Sequence, residues 1–78
     1  MKNEYSILVG KQLKALRIYK RMSLRDVEER CGLSFSAIGK YENGRSIDLD
    51  RLKLLCEDGL GISMIDFLTD VQKIANEK

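Results

Sequence analysis

Apolar residues recur at helical spacing along almost the whole chain, and no stretch alternates with period two for long enough to make a strand. Val9, Leu13 and Leu16 form a first stripe, extended by Ile7 or Leu8, and predict a helix over residues 5–21. Ser23 follows, with a hydroxyl able to accept from a free amide of a first helical turn. Val27 and Cys31, four residues apart, share one face of a second helix over residues 24–31. Gly32 stops that helix, because glycine enters the left-handed conformation without a side-chain clash. Ser34 caps a third helix over residues 35–42, with Ile38 and Tyr41 inward, and Asn43-Gly44 is a turn signal. A fourth helix begins after Asp48, with Leu49, Leu52, Leu55 and Cys56 facing inward, and Gly59 and Gly61 break it. Asp50 lies in its first turn, where a carboxylate suits the helix dipole. Ser63 caps a fifth, over residues 64–75, whose apolar side is Ile65, Phe67, Leu68, Val71 and Ile74. The expected fold is all-α, a compact five-helix bundle with short loops.

Residues 24–42 have the outline helix, glycine-containing turn, helix, in which the second helix enters the DNA major groove. Its outer side would present Phe35, Ser36, Gly39 and Lys40 to base edges. Ser36 can hydrogen-bond a base or a phosphate, and Lys40 can donate to guanine O6 and N7 or to the backbone. A phenyl ring neither donates nor accepts in a directed way, so Phe35 either touches a thymine methyl or folds back on the protein. Phosphate contacts, which orient without specifying sequence, are expected from the rim: Arg25, Ser34, Asn43, Arg45 and Ser46.

The ordered set Val9-Gly10-Lys11-Gln12-Leu13-Lys14-Ala15-Leu16-Arg17, Met22-Ser23, Cys31-Gly32-Leu33-Ser34 and Ile38-Gly39-Lys40-Tyr41-Glu42-Asn43-Gly44-Arg45 resembles the Cro and phage-repressor type of helix-turn-helix domain, also called Xre-like. The resemblance covers residues 7–68 and implies a lambda-repressor-like fold that binds double-stranded DNA. It also implies an ion pair between Arg17, late in the first helix, and Glu42, at the end of the third. The fifth helix would build a two-fold homodimer contact through Ile65, Leu68, Val71 and Ile74. Four features depart from the family pattern. Leu24 stands where Gln is usual, Glu28 where a small residue is usual, and Ile47 where Pro is frequent. The stretch Glu57-Asp58-Gly59-Leu60-Gly61 is one residue longer than usual.

Charge changes the picture by its distribution. The net charge is only +2, but residues 1–45 carry ten Lys and Arg against five Asp and Glu, whereas residues 46–78 carry four against seven. Lys11, Lys14, Arg17, Lys20, Arg21 and Arg25 form a run with no acidic residue among them. A charge run alone reads as a solvated helix face. Beside a helix-turn-helix pattern it reads as a phosphate-neutralising surface. With 78 residues the expectation is one small domain, 1–78, marginal alone and therefore prone to self-association. No stretch is apolar for long enough to span a bilayer and MKNEYSILVG lacks a secretory pattern, so a soluble, cytoplasmic protein of a bacterium or phage is expected.

Cys31 and Cys56 are the only cysteines and there is no histidine, so buried thiols are expected rather than a metal site or a disulfide. No glycine-rich phosphate loop or cofactor fingerprint is present, and no cofactor, small-molecule substrate or enzymatic activity is expected. The leading reading is a sequence-specific transcription regulator acting as a dimer on a palindromic operator, of the prophage repressor or restriction–modification controller kind. The alternative, from another class, is an interaction module of antitoxin or anti-repressor type that binds a protein partner with the same bundle.

Overall fold

The computed structural model describes residues 4–77, which form five helices and no strand: α1 (Glu4–Tyr19), α2 (Leu24–Cys31), α3 (Phe35–Glu42), α4 (Leu49–Lys53) and α5 (Met64–Asn76). Leu13, Val27, Ile38, Leu55, Phe67 and Val71 are fully buried and bring α1, α2, α3 and α5 around one core. Cys31 and Cys56 are free thiols within it, and burial pushes the Cys56 thiol up to about 12. It therefore packs as a neutral small hydrophobe.

Each short helix is started by a side chain. The Ser23 hydroxyl accepts from the Asp26 amide at 3.0 Å and the Asp26 carboxylate accepts from the Ser23 amide at 2.8 Å, a complete capping box. Ser34, Asp48 and Ser63 open α3, α4 and α5 by the same bond to the amide three residues on. Gly32, at φ 83°, closes α2 in the left-handed region.

Three sequence expectations change. First, α1 ends at Tyr19 rather than at residue 21. The Met22 amide donates to the Arg17 carbonyl and the Arg21 amide to that of Ile18, with Arg21 left-handed at φ 58°. This is a Schellman closure built on arginine in place of glycine, so the sequence gives no stop signal. Second, Leu49 does not face inward; it is 67% exposed. As the first residue of α4 its side chain leans toward the helix start, away from the core that Leu52 and Leu55 enter. Third, the fourth helix does not simply break. It widens into a π-helical segment, Leu54–Gly59, closed by the Leu60 amide donating to the Leu55 carbonyl five residues back. A wider turn of this kind takes up an extra residue within the helix without a loop.

Candidate nucleic-acid interface

α2 and α3 are held at a fixed relation by Val27 and Ile38, both fully buried, and by the Gly32 turn between them. A Cβ at Gly39 would lie 3.7 Å from Leu24 Cδ1, so the leucine at the head of α2 leans over the glycine of α3. That is what Leu24 does in place of a polar side chain: it joins the core margin. Glu28 is half-buried on α2, and α2 and α3 remain in contact.

α3 is anchored to α1 at two points. A Cβ at Gly10 would meet the Tyr41 and Glu42 carbonyl oxygens at 2.4 and 2.7 Å, so only glycine allows the backbones to come this close. At the far end the Arg17 guanidinium donates through Nε to Glu42 Oε2 at 2.7 Å and through Nη2 to Oε1 at 3.1 Å. Its Nη1 donates to the Met22 carbonyl at 2.8 Å, bracing the turn before α2. The side chains are only 13% and 5% exposed, and the hydrogen bonds to Glu42 raise the Arg17 pKa above its ordinary value. The only carboxylate on α3 is thus turned inward and neutralised.

What remains on the outside of α3 is Phe35, Ser36 and Lys40, all exposed, with Gly39 half-covered by Leu24. Ser34 spends its hydroxyl as an acceptor for the Ala37 amide at 3.1 Å and stays at the surface. Asn43, at the C-terminal cap, and Arg45 are exposed beyond it. Ser46 is exposed as well, with its Oγ 3.3 Å from that of Ser6 at the start of α1. Phe35 neither stands free nor folds into the core. It is 38% exposed, and the Arg25 guanidinium lies over its ring at 4.3 Å from the centroid. Sequence reading missed this contact, since a cation over a ring ten residues away across a turn has no periodic signature.

A sequence profile of the helix-turn-helix family, the Xre and Cro-like type, matches residues 13–66. The chain belongs to that family. The restriction–modification controller protein C.Esp1396I superposes on it with a TM-score of 0.87 over 99% of this chain and 100% of that one; at 23% identity this likeness shows the fold. The same controller, as a tetramer in complex with its natural 35 base-pair operator, is 25% identical with a TM-score of 0.83, covering 92% and 95% of the two chains. The DNA-binding domain of BldD from S. venezulae is 31% identical with a TM-score of 0.71, covering 83% of this chain and 97% of that one. Among curated proteins none matches. The protein is a DNA-binding transcription regulator.

The charges of this helix-turn-helix protein are arranged to suit that role. Among the described residues the ion pairs are Arg17–Glu42, Arg51–Asp48 and Lys53–Glu57. Of the basic residues in α1 to α3 only Arg17 is committed to one, leaving Lys11, Lys14, Arg25, Arg30 and Lys40 without an ion pair among the described residues. The acidic half instead pairs two of its own cations. No described helix is long and apolar enough to cross a membrane.

The expected dimer surface needs correction. Val71 has no exposed surface; with Phe67, one turn earlier, it fills the core and is unavailable to a partner. Ile74 is 39% exposed but lies nine residues from Ile65, half a turn round the helix, so the two cannot share a face. The open face of α5 is instead a shallow groove of about 490 Å³ lined by Tyr5, Ile65, Leu68, Thr69 and Gln72, with Lys73 and Asn76 at its end. Ile65 is 74% exposed there, and the Tyr5 hydroxyl donates to Gln72 Oε1 at 3.2 Å across it.

Proposed function

We propose that this regulator binds as a homodimer to a two-fold-symmetric operator, with α3 of each copy in the major groove. In this reading Ser36 and Lys40 reach base edges, with Phe35 and the Gly39 backbone against them, and Ser34, Asn43, Arg45 and Ser46 meet phosphates. The observation that carries it is the outer edge of α3: exposed, free of carboxylates because Glu42 is held by Arg17, and bordered by unpaired cations. The groove formed by Tyr5, Ile65 and Leu68 supports self-association through α5. The controller C.Esp1396I, a protein of this fold, is bound to its operator as a tetramer, which supports operator DNA as the ligand.

Selection of bound duplexes from a random DNA library tests the reading directly. The expected outcome is one palindrome with half-sites ~34 Å apart, bound with an affinity that falls steeply as salt rises. Recovery of no common sequence, or binding indifferent to salt, would overturn it. Salt-indifferent binding is what the alternative, a protein partner docked on α2 and α3, predicts.

A further inference from the structure

We propose that Arg25 and Phe35 act as one unit that reads a guanine, with Arg25 touching the base and Phe35 positioning it. This rests on the reading of α3 as the groove-entering helix. Arg25 is the second residue of α2 and Phe35 the first of α3, so their stack bridges the two helices at the end of the motif where α3 begins. The residues at the start of a recognition helix are the ones that reach base edges.

One feature separates Arg25 from Arg45, the rim cation expected to meet phosphate: neither has an ion pair among the described residues, but the Arg25 guanidinium lies over the Phe35 ring, 4.3 Å from its centroid. A ring beneath the guanidinium fixes its position but uses none of its N–H donors, which project around the edge of the plane. A guanidinium so held presents a two-donor edge, the complement of guanine O6 and N7. A phosphate contact would need no such support, since a flexible cation serves as well. The stack also accounts for an aromatic residue where a polar base-reader is usual: the ring supplies the platform and Arg25 supplies the donors.

The experiment uses the duplex enriched by the 78-residue chain, and affinities are measured for it and for every single base-pair substitution. At one G·C pair in each half-site, substitution should weaken the unaltered protein roughly tenfold or more. Arg25→Lys keeps the charge but loses the fork, and Phe35→Leu keeps the apolar bulk but loses the flat ring. Each should abolish discrimination at that pair, with preference at the positions read by Ser36 and Lys40 and the thermal midpoint unchanged. Phe35→Tyr should retain it. If Arg25→Lys keeps full discrimination, or if Arg25→Ala weakens all duplexes equally, Arg25 contacts phosphate and the proposal is wrong. If Phe35→Leu discriminates as the unaltered protein does, the ring positions nothing. Failure of the unaltered protein to enrich any sequence would overturn the major-groove reading itself, and the stack with it.

Discussion

Glu42 is a carboxylate almost without solvent, and its charge is tolerable only because Arg17 meets both of its oxygens. Removing one partner of a buried pair leaves the other charge uncompensated, at a cost of about 3–5 kcal/mol. Arg17→Met should therefore lower the unfolding free energy read from urea titration by that much, and Glu42→Gln added to it should restore a large part. Full stability of Arg17→Met alone would mean that Glu42 is not desolvated. The hydrogen bonds to Glu42 raise the Arg17 pKa, so the stability linked to the Arg17 proton is present at ordinary pH and is lost as pH climbs through the raised folded value. The exposed cations of the reading face behave differently, because their partner is DNA. Lys40→Ala should cost about 1–3 kcal/mol at one base pair and relax preference there. Arg45→Ala should weaken every sequence alike and reduce the salt slope by about one unit. Affinities on matched and mismatched duplexes at three salt concentrations separate the two, and identical profiles would show the assignment to be wrong.

Between elements, the same residue type has opposite roles on neighbouring helices. Gly10→Ala drives a methyl into two backbone carbonyls of α3, where no flexible side chain can yield, and should destabilise by about 1–3 kcal/mol. Gly39→Ala meets only the tip of Leu24 at ordinary contact distance, and should stabilise α3 by about 0.5–1 kcal/mol. Thermal denaturation of both variants checks the pair, and equal effects would mean that α1 and α3 are not in close approach. The helix starts add a pH dependence. The Ser23 amide and hydroxyl hold the Asp26 carboxyl below its ordinary 3.8, and the Arg51 amide and guanidinium do so for Asp48. Lys53 and the Met64 amide lower Glu57 from 4.5. Depressed carboxylates contribute above their unfolded pKa values and lose that contribution as pH falls through the folded ones. Stability should thus be level above about pH 4.5 and decline below it, and Asp26→Asn with Asp48→Asn should flatten the acid limb of a urea-midpoint profile. These caps were legible in the sequence because a serine or aspartate acts on the third residue ahead, a strictly local bond. Residues whose role is set across the fold were not. Arg21 closes α1 without glycine, the wide turn at Leu54–Gly59 has no composition of its own, and the Arg25 stack depends on the angle between α2 and α3.

At the scale of the molecule the two halves differ in charge and in what they offer. Residues 1–45 are basic and present α3, while residues 46–78 are acidic and present the α5 groove. An acidic half would be repelled by phosphate, so it should lie away from DNA, where it can meet a second copy. The apolar periodicity of α5 suggested four contact residues, because sequence shows which positions are apolar but not which of them the rest of the fold has already covered. Val71 is consumed by the core, and Ile65 is left as the large apolar side chain most open in the groove. Ile65→Glu would place a charge at the centre of a self-contact while costing the monomer little, since the side chain is already in solvent. Sedimentation should show the unaltered chain as a dimer at tens of micromolar, an order-of-magnitude choice for mass action, and Ile65→Glu as a monomer with an unchanged thermal transition. Affinity for a two-site operator should fall at least tenfold, because binding then lacks the second, linked site, while affinity for an isolated half-site should be unaltered. A variant that stays dimeric would place the self-contact elsewhere, with Ile74 on the other flank as the next position to change.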